Sequence, residues 1–198
     1  VRYDTVLPGG RGGLLAIDDV RDLAWVGVDG VSVGTLSRTR HDRAIAIPDG
    51  AALSILVEDQ GRVNYDHRLG EEKGLIGAVT LDGEPLAGWT STPLDVAAIA
   101  ASASFSGAVT GPGAWTAAFD LDAPADLFLD TASWSKGYAF VNGFFLGRYW
   151  RNGPTRTLYV PAPATVAGEN RLVVLELEQL LSPAAVFLPA PSLGDTEE

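Results

Sequence analysis

The chain has 198 residues, 46% of them hydrophobic and 20% charged, which is globular composition and enough length for one large β domain or two small ones. Its formal net charge of −11 would repel a phosphate backbone and argues against nucleic-acid binding, whereas a neutral sugar is indifferent to it. The absence of cysteine excludes a disulfide framework, a thiolate zinc site and a cysteine nucleophile, and no apolar run approaches the ~20 residues of a membrane helix.

Val1 opens the chain and methionine is absent, so the sequence reads as a processed product or a fragment. The first residues, VRYDTVLPGG, have no positive stretch followed by an apolar core, which puts any export signal outside the sequence given. A high ratio of arginine to lysine hints at a GC-rich bacterial genome; the compartment is left open, with a soluble chain of the bacterial cytoplasm favoured over a secreted one.

In chain order, Gly9-Gly10-Arg11-Gly12-Gly13 lacks the Lys-Ser/Thr of a phosphate loop and reads as a flexible connector. Residues 23–28 then meet 31–36 across Asp29-Gly30, a type I′ hairpin signal, because both central residues of that turn need positive φ. Residues 44–47, 53–57 and 75–81 complete a first set of about five strands at sandwich spacing. Residues 96–105 are Ala/Ser-rich and are compatible with a short helix or a loop. Strands follow at 115–121 and 127–130, then a hairpin of 138–141 and 144–150 around Asn142-Gly143, a third strand at 156–160, and another at 171–178. Residues 184–188 form one more strand candidate, with 184–190 open to returning to the first unit. The expected division is 1–85, 86–183 and a mobile tail at 189–198 rich in Pro, Gly and acid.

Few residues here offer chemistry of their own. Glu176 and Glu178 share a strand face, and with Leu175 and Leu177 between them they read as a wet acidic face rather than a catalytic pair. Glu58-Asp59 and Glu71-Glu72 read as surface pairs, and His41 and His67 as surface loop residues without a nucleophile motif beside them. Asp120, Asp122 and Asp126 cluster too loosely to commit to a metal, so no cofactor is assigned, with a structural calcium left open. Alternating aromatics such as Phe145, Tyr149 and Trp150 belong more often to a core than to a sugar platform. A free-standing sugar site is best sought at loop ends, near Trp89, Trp115 and Trp134. Gly61-Arg62-Val63-Asn64-Tyr65 joins in one connector the residue types that hydrogen-bond hydroxyls and pack on a sugar ring.

The stretch WSKGYAFVNGFFLGRYWRNGPTRTLYVP, from Trp134 to Pro161, resembles the last β-sandwich domain of glycoside hydrolase family 35 β-galactosidases. The matching residues include Trp134, Lys136, Gly137, Asn142, Gly143, Arg148, Tyr149, Trp150, Gly153 and Pro154. DLAWVGVDG at 22–30, GRVNY at 61–65 and Lys73-Gly74-Leu75 look like the β domain that follows the catalytic barrel there. The resemblance implies an all-β chain of two antiparallel β-sandwich units of the jelly-roll, galactose-binding-domain-like type, without a TIM barrel. By the same resemblance both catalytic glutamates of the retaining mechanism sit on that absent barrel. It further implies that Tyr65 lines the edge of a galactose pocket with Arg62 and Asn64 in support, and that Lys136, Asn142, Arg148 and Trp150 are structural, Lys136 and Arg148 through buried or interdomain hydrogen bonds.

The implied partners are a catalytic β/α barrel of the same or a separate chain and galactosides, with a homo-oligomer open and neither nucleic acid nor membrane involved. Two rivals stay open beside a non-catalytic β-galactosidase region. One is a free-standing galactoside-binding module, and the other is a subunit of a split β-galactosidase.

Overall fold

The computed structural model describes residues 1–104, 112–179, 182 and 184–194, in two units, Val1–Leu94 and Asp95–Glu198. The first unit carries β1 (Arg2–Val6), β2 (Gly13–Arg21), β3 (Leu23–Val28), β4 (Val31–Ser37), β5 (Ala44–Ile47), β6 (Ala52–Glu58), β7 (Gly74–Leu81), β8 (Glu84–Pro85) and β9 (Thr90–Thr92). They form two antiparallel sheets, ordered β4-β3-β6-β1-β9 and β5-β2-β7-β8. Alternation decides what lies between them: Ala24, Val26 and Val28 of β3 and Leu53, Ile55 and Val57 of β6 point inward, against Leu15, Ile17, Val79 and Leu81 of the other sheet. A register shift between Ile17 and Asp19 moves the inward phase of β2 on to Val20, which is also buried.

Asp29 and Gly30 adopt φ of 50° and 78°, as the hairpin signal requires. Asp29 does more than turn the chain, since its carboxylate accepts from the backbone amides of Ala51 and Ala52. Asp82-Gly83 repeats the geometry, with φ of 50° and 87°, between β7 and β8. Hydrophobic pattern leaves this hairpin and β1, β8 and β9 unassigned because these strands are short or mostly exposed, and leaves β2 unassigned because the shift between Ile17 and Asp19 breaks its alternation. The glycine run at 9–13 is less free than a flexible connector. Pro8–Gly10 is a 3-10 turn, Gly12 donates to Asp49 at 2.8 Å, and a Cβ on Gly12 would overlap the Ile47 carbonyl.

The second unit opens with α1 (Val96–Ser102), whose Asp95 N-cap accepts from the amides of Ala97 and Ala98. Position 105 lies outside the described residues. The strands are β10 (Gly113–Leu121), β11 (Leu127–Asp130), β12 (Lys136–Val141), β13 (Phe144–Trp150), β14 (Thr157–Val160), β15 (Gly168–Glu176) and β16 (Val186–Leu188). A sheet ordered β10-β15-β12-β13 packs on a sheet ordered β14-β11-β16. In β15, Leu172 and Val174 enter the core between the sheets, while Val173 and Leu175 face the other way and pack with Ala100 of α1. Both faces of this strand are therefore buried, which its run of Leu-Val-Val-Leu predicts.

Three boundaries differ from expectation. The contact boundary falls between Leu94 and Asp95 rather than at 85/86, because β9 pairs with β1 and stays in the first unit. Val186–Leu188 does not return to the first unit: it pairs with β11, with Phe187 beside Leu129 and packed on the second core. The tail is held at Ser192, whose carbonyl accepts from the Arg156 amide and whose amide donates to the Thr157 hydroxyl; residues 195–198 of the expected mobile tail lie outside the described residues.

Glu176 departs furthest from its expected place. It is 1% exposed, and its carboxylate accepts from the amides of Ser135 (3.2 Å), Lys136 (3.0 Å) and Glu178 (3.0 Å) and from the Tyr149 hydroxyl (3.0 Å). Burial pushes this carboxyl above its ordinary value against the pull of those four donors. Gly137 makes the contact sterically feasible, because a Cβ there would sit 2.5 Å from the Tyr149 hydroxyl and overlap the Leu175 carbonyl. Glu58, expected on the surface, is also buried, at 8%.

Candidate functional site

Three connectors of the first unit meet at one charged cluster. Asp22 comes from the β2–β3 corner, Arg38 from the 3-10 turn after β4, and Glu71 and Lys73 from the long β6–β7 loop. The Arg38 guanidinium donates to Asp22 at 2.9 Å and to Glu71 Oε2 at 2.8 Å. The Lys73 ammonium reaches Asp22 at 2.8 Å and Glu71 at 3.2 Å. The Gln60 amide, at the start of the loop, donates to Asp22 at 3.0 Å. The Asp22, Glu71 and Lys73 side chains are only 8%, 9% and 10% exposed, so this is a desolvated two-plus-two arrangement in which every charge has an opposite neighbour.

The electrostatics follow from that packing. Hydrogen bonds from Arg38, and then Lys73, hold the Glu71 carboxyl down to about 2. Burial alone would raise Asp22, but hydrogen bonds from Lys73, Arg38 and the Gln60 amide outweigh it and leave Asp22 below its ordinary value. Burial would likewise lower the Lys73 ammonium, and Asp22 and Glu71 reverse this. All four groups are ionised near neutrality, so the cluster acts as a fixed clamp on both ends of the β6–β7 loop rather than as a proton donor or acceptor.

What the clamp displays is the segment 61–70. Tyr65 is 82% exposed and Leu69 61% exposed, while Asn64 is exposed beside them. Arg62 is also exposed, lies 3.8 Å from Asp59, and lines a cleft of about 590 Å³ that also meets Arg21, Glu71, Lys73 and Gly74. The three expected site residues thus share one loop, but only Arg62 lines the cleft. Arg38, Glu71 and Asp22 were not expected to work together. Arg38 and Glu71 are 33 residues apart, and Glu71-Glu72 carries no local pattern that separates a clamp from a wet surface pair.

The tryptophans considered for a sugar platform all pack on the cores, Trp134 buried and Trp89 and Trp115 partly so. Trp134 is 2% exposed and meets Tyr149 edge-on at 5.4 Å, and its indole N–H has no hydrogen-bond partner among the described residues. Trp115 is half-buried against the same core. Trp89 packs on the first core and donates to the Leu86 carbonyl at 3.1 Å. Only Trp115 lies on a strand, β10, while Trp89 precedes β9 and Trp134 precedes β12; Trp134 is buried, and Trp89 and Trp115 are half-buried.

Of the hairpin residues expected to be structural, Lys136 is buried, whereas Asn142, Arg148 and Trp150 are exposed, so Arg148 is not in the buried setting expected of it. Lys136 is 4% exposed, with its ammonium 3.6 Å from the centroid of the Trp150 ring. Arg148 lies opposite Tyr138 in the β12–β13 pairing. Asn142, at φ 50°, turns the chain and hydrogen-bonds the Arg171 amide, the Asn170 side chain and the Ala164 carbonyl. Asp126 is occupied by the Tyr159 hydroxyl and the Ala162 amide, each at 2.7 Å. Among the described residues no three or more His, Asp or Glu side chains gather where they could hold a metal, and no helix there is long and apolar enough to cross a membrane.

Two β-sandwiches, one of them presenting an ion-pair-clamped loop, define an all-β chain of galactose-binding-like architecture. Residues 1–95 match the family model described as "Beta-galactosidase, first all-beta domain", and residues 112–170 match "Beta-galactosidase, galactose-binding domain". The β-galactosidase of Xanthomonas manihotis is 37% identical over 172 residues, covering 84% of this chain and 29% of that protein. That of Mus musculus is 39% identical, covering 80% of this chain and 28% of the relative. The human beta-galactosidase-1-like protein 2 is 36% identical, with 88% and 29% covered. The chain belongs to the β-galactosidase family, of which it carries the first all-beta and the galactose-binding domains. It spans less than a third of the length of these relatives.

Proposed function

We propose that this chain is the C-terminal, non-catalytic β-domain region of a glycoside hydrolase family 35 β-galactosidase. The parent enzyme hydrolyses terminal β-linked galactose with retention of configuration, and these domains support its catalytic β/α barrel, in the same or a separate chain, and one edge of its galactose pocket. The observation that carries this reading is the clamped loop. Tyr65 and Leu69 are held out at 82% and 61% exposure on a segment whose base is fixed by Asp22, Arg38, Glu71 and Lys73. A large aromatic group displayed on a rigid base has the character of a contact surface, since ordering it in advance removes the entropy cost of docking. In this reading Tyr65 packs on the apolar face of galactose, with Arg62 and Asn64 holding the loop's shape.

The test is Tyr65→Ala in the complete enzyme, assayed on an aryl β-galactoside. The expected loss in kcat/KM is roughly tenfold, equivalent to about 1.4 kcal/mol of transition-state binding. Unchanged kcat/KM would remove Tyr65 from the pocket. Measurable hydrolysis by the 198-residue chain alone would overturn the non-catalytic assignment.

A further inference from the structure

The other side of the charged cluster opens on a second cleft, of about 430 Å³. It is lined by Arg21, Arg38, Arg43 and Arg68, by His41 and His67, and by only three carboxylates, Asp19, Asp42 and Glu71. Both histidines of the chain are therefore in one cleft, in a protein of net charge −11. A basic overall composition does not account for this.

The carboxylates are already satisfied. Asp19 pairs with Arg21 at 2.8 Å. Asp42 pairs with Arg40, which lies outside the cleft lining, at 2.8 Å and accepts the Ser37 amide at 3.0 Å. Glu71 is held by Arg38 and Lys73. The cations left over are Arg43, at the entry to β5, and Arg68, on the β6–β7 loop: their side chains are exposed and make no hydrogen bond or ion pair among the described residues.

We infer that this cleft binds an oxyanion, a carboxylate or a sulfate group, between Arg43 and Arg68. Each guanidinium presents a planar fork of donors that matches two oxygens of such a group. Arg21 and Arg38 are compensated by Asp19, Asp22 and Glu71, so the uncompensated positive charge of the cleft is that of Arg43 and Arg68. The proposal rests on the lining of this cleft and on its two guanidiniums left unpaired among the described residues and does not depend on Tyr65 bordering a galactoside pocket. The oxyanion arrives either on an acidic or sulfated sugar or as a free ion, and the two sources share the same contacts.

Isothermal titration of the 198-residue chain at constant ionic strength tests this, with sulfate, galacturonate and galactose 6-sulfate as ligands and galactose as the neutral control. Saturable binding of the anions but not of galactose is expected, weakened roughly tenfold by Arg43→Ala or Arg68→Ala and lost in the double variant. Tighter binding of the charged sugars than of sulfate assigns the oxyanion to a glycan; equal binding assigns it to the free ion, and both uphold the site. No saturable binding of any anion, equal binding of galactose, or undiminished binding by a double variant with unchanged circular dichroism would overturn it. Both side chains are exposed, so the variants keep the core intact, and Arg2→Ala, remote in sequence and paired with Asp4, serves as the charge control.

Discussion

Glu176→Gln removes one charge and no volume, and the structure assigns it a large cost. The carboxylate accepts four hydrogen bonds, two at each oxygen, whereas an amide has only one accepting oxygen. With the NH2 at the Oε1 position it would face the amides of Lys136 and Glu178, leaving two buried donors unpaired. At the Oε2 position it faces the Ser135 amide and Tyr149, whose hydroxyl is able to rotate and accept, so a single donor is orphaned. This second orientation is the cheaper. One unsatisfied buried donor costs about 1–3 kcal/mol, and relief of the burial penalty that raises this carboxyl offsets the charge-assisted bonds lost, leaving about 1–3 kcal/mol in all. For a unit of this size that lowers Tm by roughly 5–20 °C. Thermal unfolding, with hydrogen exchange of peptides covering 134–150 and 168–176 to localise the loss to the second unit, is the assay. Glu178→Gln, one turn of the pleat further along, is the control and stays within about 0.5 kcal/mol of the parent. If the two variants unfold alike, the four-donor account of Glu176 is wrong, and the wet acidic face of the sequence reading is restored.

Gly137→Ala drives a methyl group against the Leu175 carbonyl and the Tyr149 hydroxyl and is expected to destabilise the second unit by about 2–4 kcal/mol, read from its denaturation midpoint. Asn170→Ala, at a position of zero exposure, unpairs the Val166 amide and the Val166 and Gly168 carbonyls and should cost about 2–3 kcal/mol in the same measurement. The first unit should respond to acid through its clamp. Glu71 has a folded value of about 2 against an ordinary 4.5, so the unfolded state takes up its proton first. Its stabilising contribution is complete above pH 4.5 and is lost as pH falls toward about 2. Arg38→Met should flatten that acid limb of the stability profile, and a limb of unchanged steepness would show that Arg38 does not set it. Glu176 acts with opposite sign, since its folded value is raised and its contribution to stability falls as pH rises through that value.

Hairpins and core strands were legible because their causes are local. Asn142-Gly143 and Asp29-Gly30 state their turn type in two residues, and the alternations of 23–28 and 53–57 give their inward faces directly. The strand 171–178 was legible in position but not in consequence. Glu176 reads as solvated until Tyr149 and the 135–137 backbone, some 27 to 41 residues away, are brought against it. The tryptophans are ambiguous for the same reason: ring chemistry suits a sugar or a core equally, and packing that is non-local in sequence decides how far each is buried. The clamp was illegible because its four members come from three connectors, and connectors have no periodicity to read.

The residues that carry the family resemblance are thus mostly residues that hold the fold. Trp134, Gly137 and Tyr149 gather around the buried Glu176, and Asn142 and Asn170 tie the β12–β13 turn to the turn before β15. Recognition of this stretch across long β-galactosidases therefore tracks the architecture of the second sandwich and says little about what any one of them binds. In the first unit the division of labour differs. Asp22 and Lys73, within the resembling segments, make the clamp, while Tyr65 and Arg68 sit on the loop that the clamp presents. Substitutions in the clamp should alter stability and loop order together, and substitutions on the loop should alter binding alone. Measuring Tm and ligand affinity for Lys73→Met beside Arg68→Ala separates the two: the first is expected to lower both, the second only the affinity. A loss of affinity in Lys73→Met without any loss of Tm would mean that Lys73 itself meets ligand and is not a support.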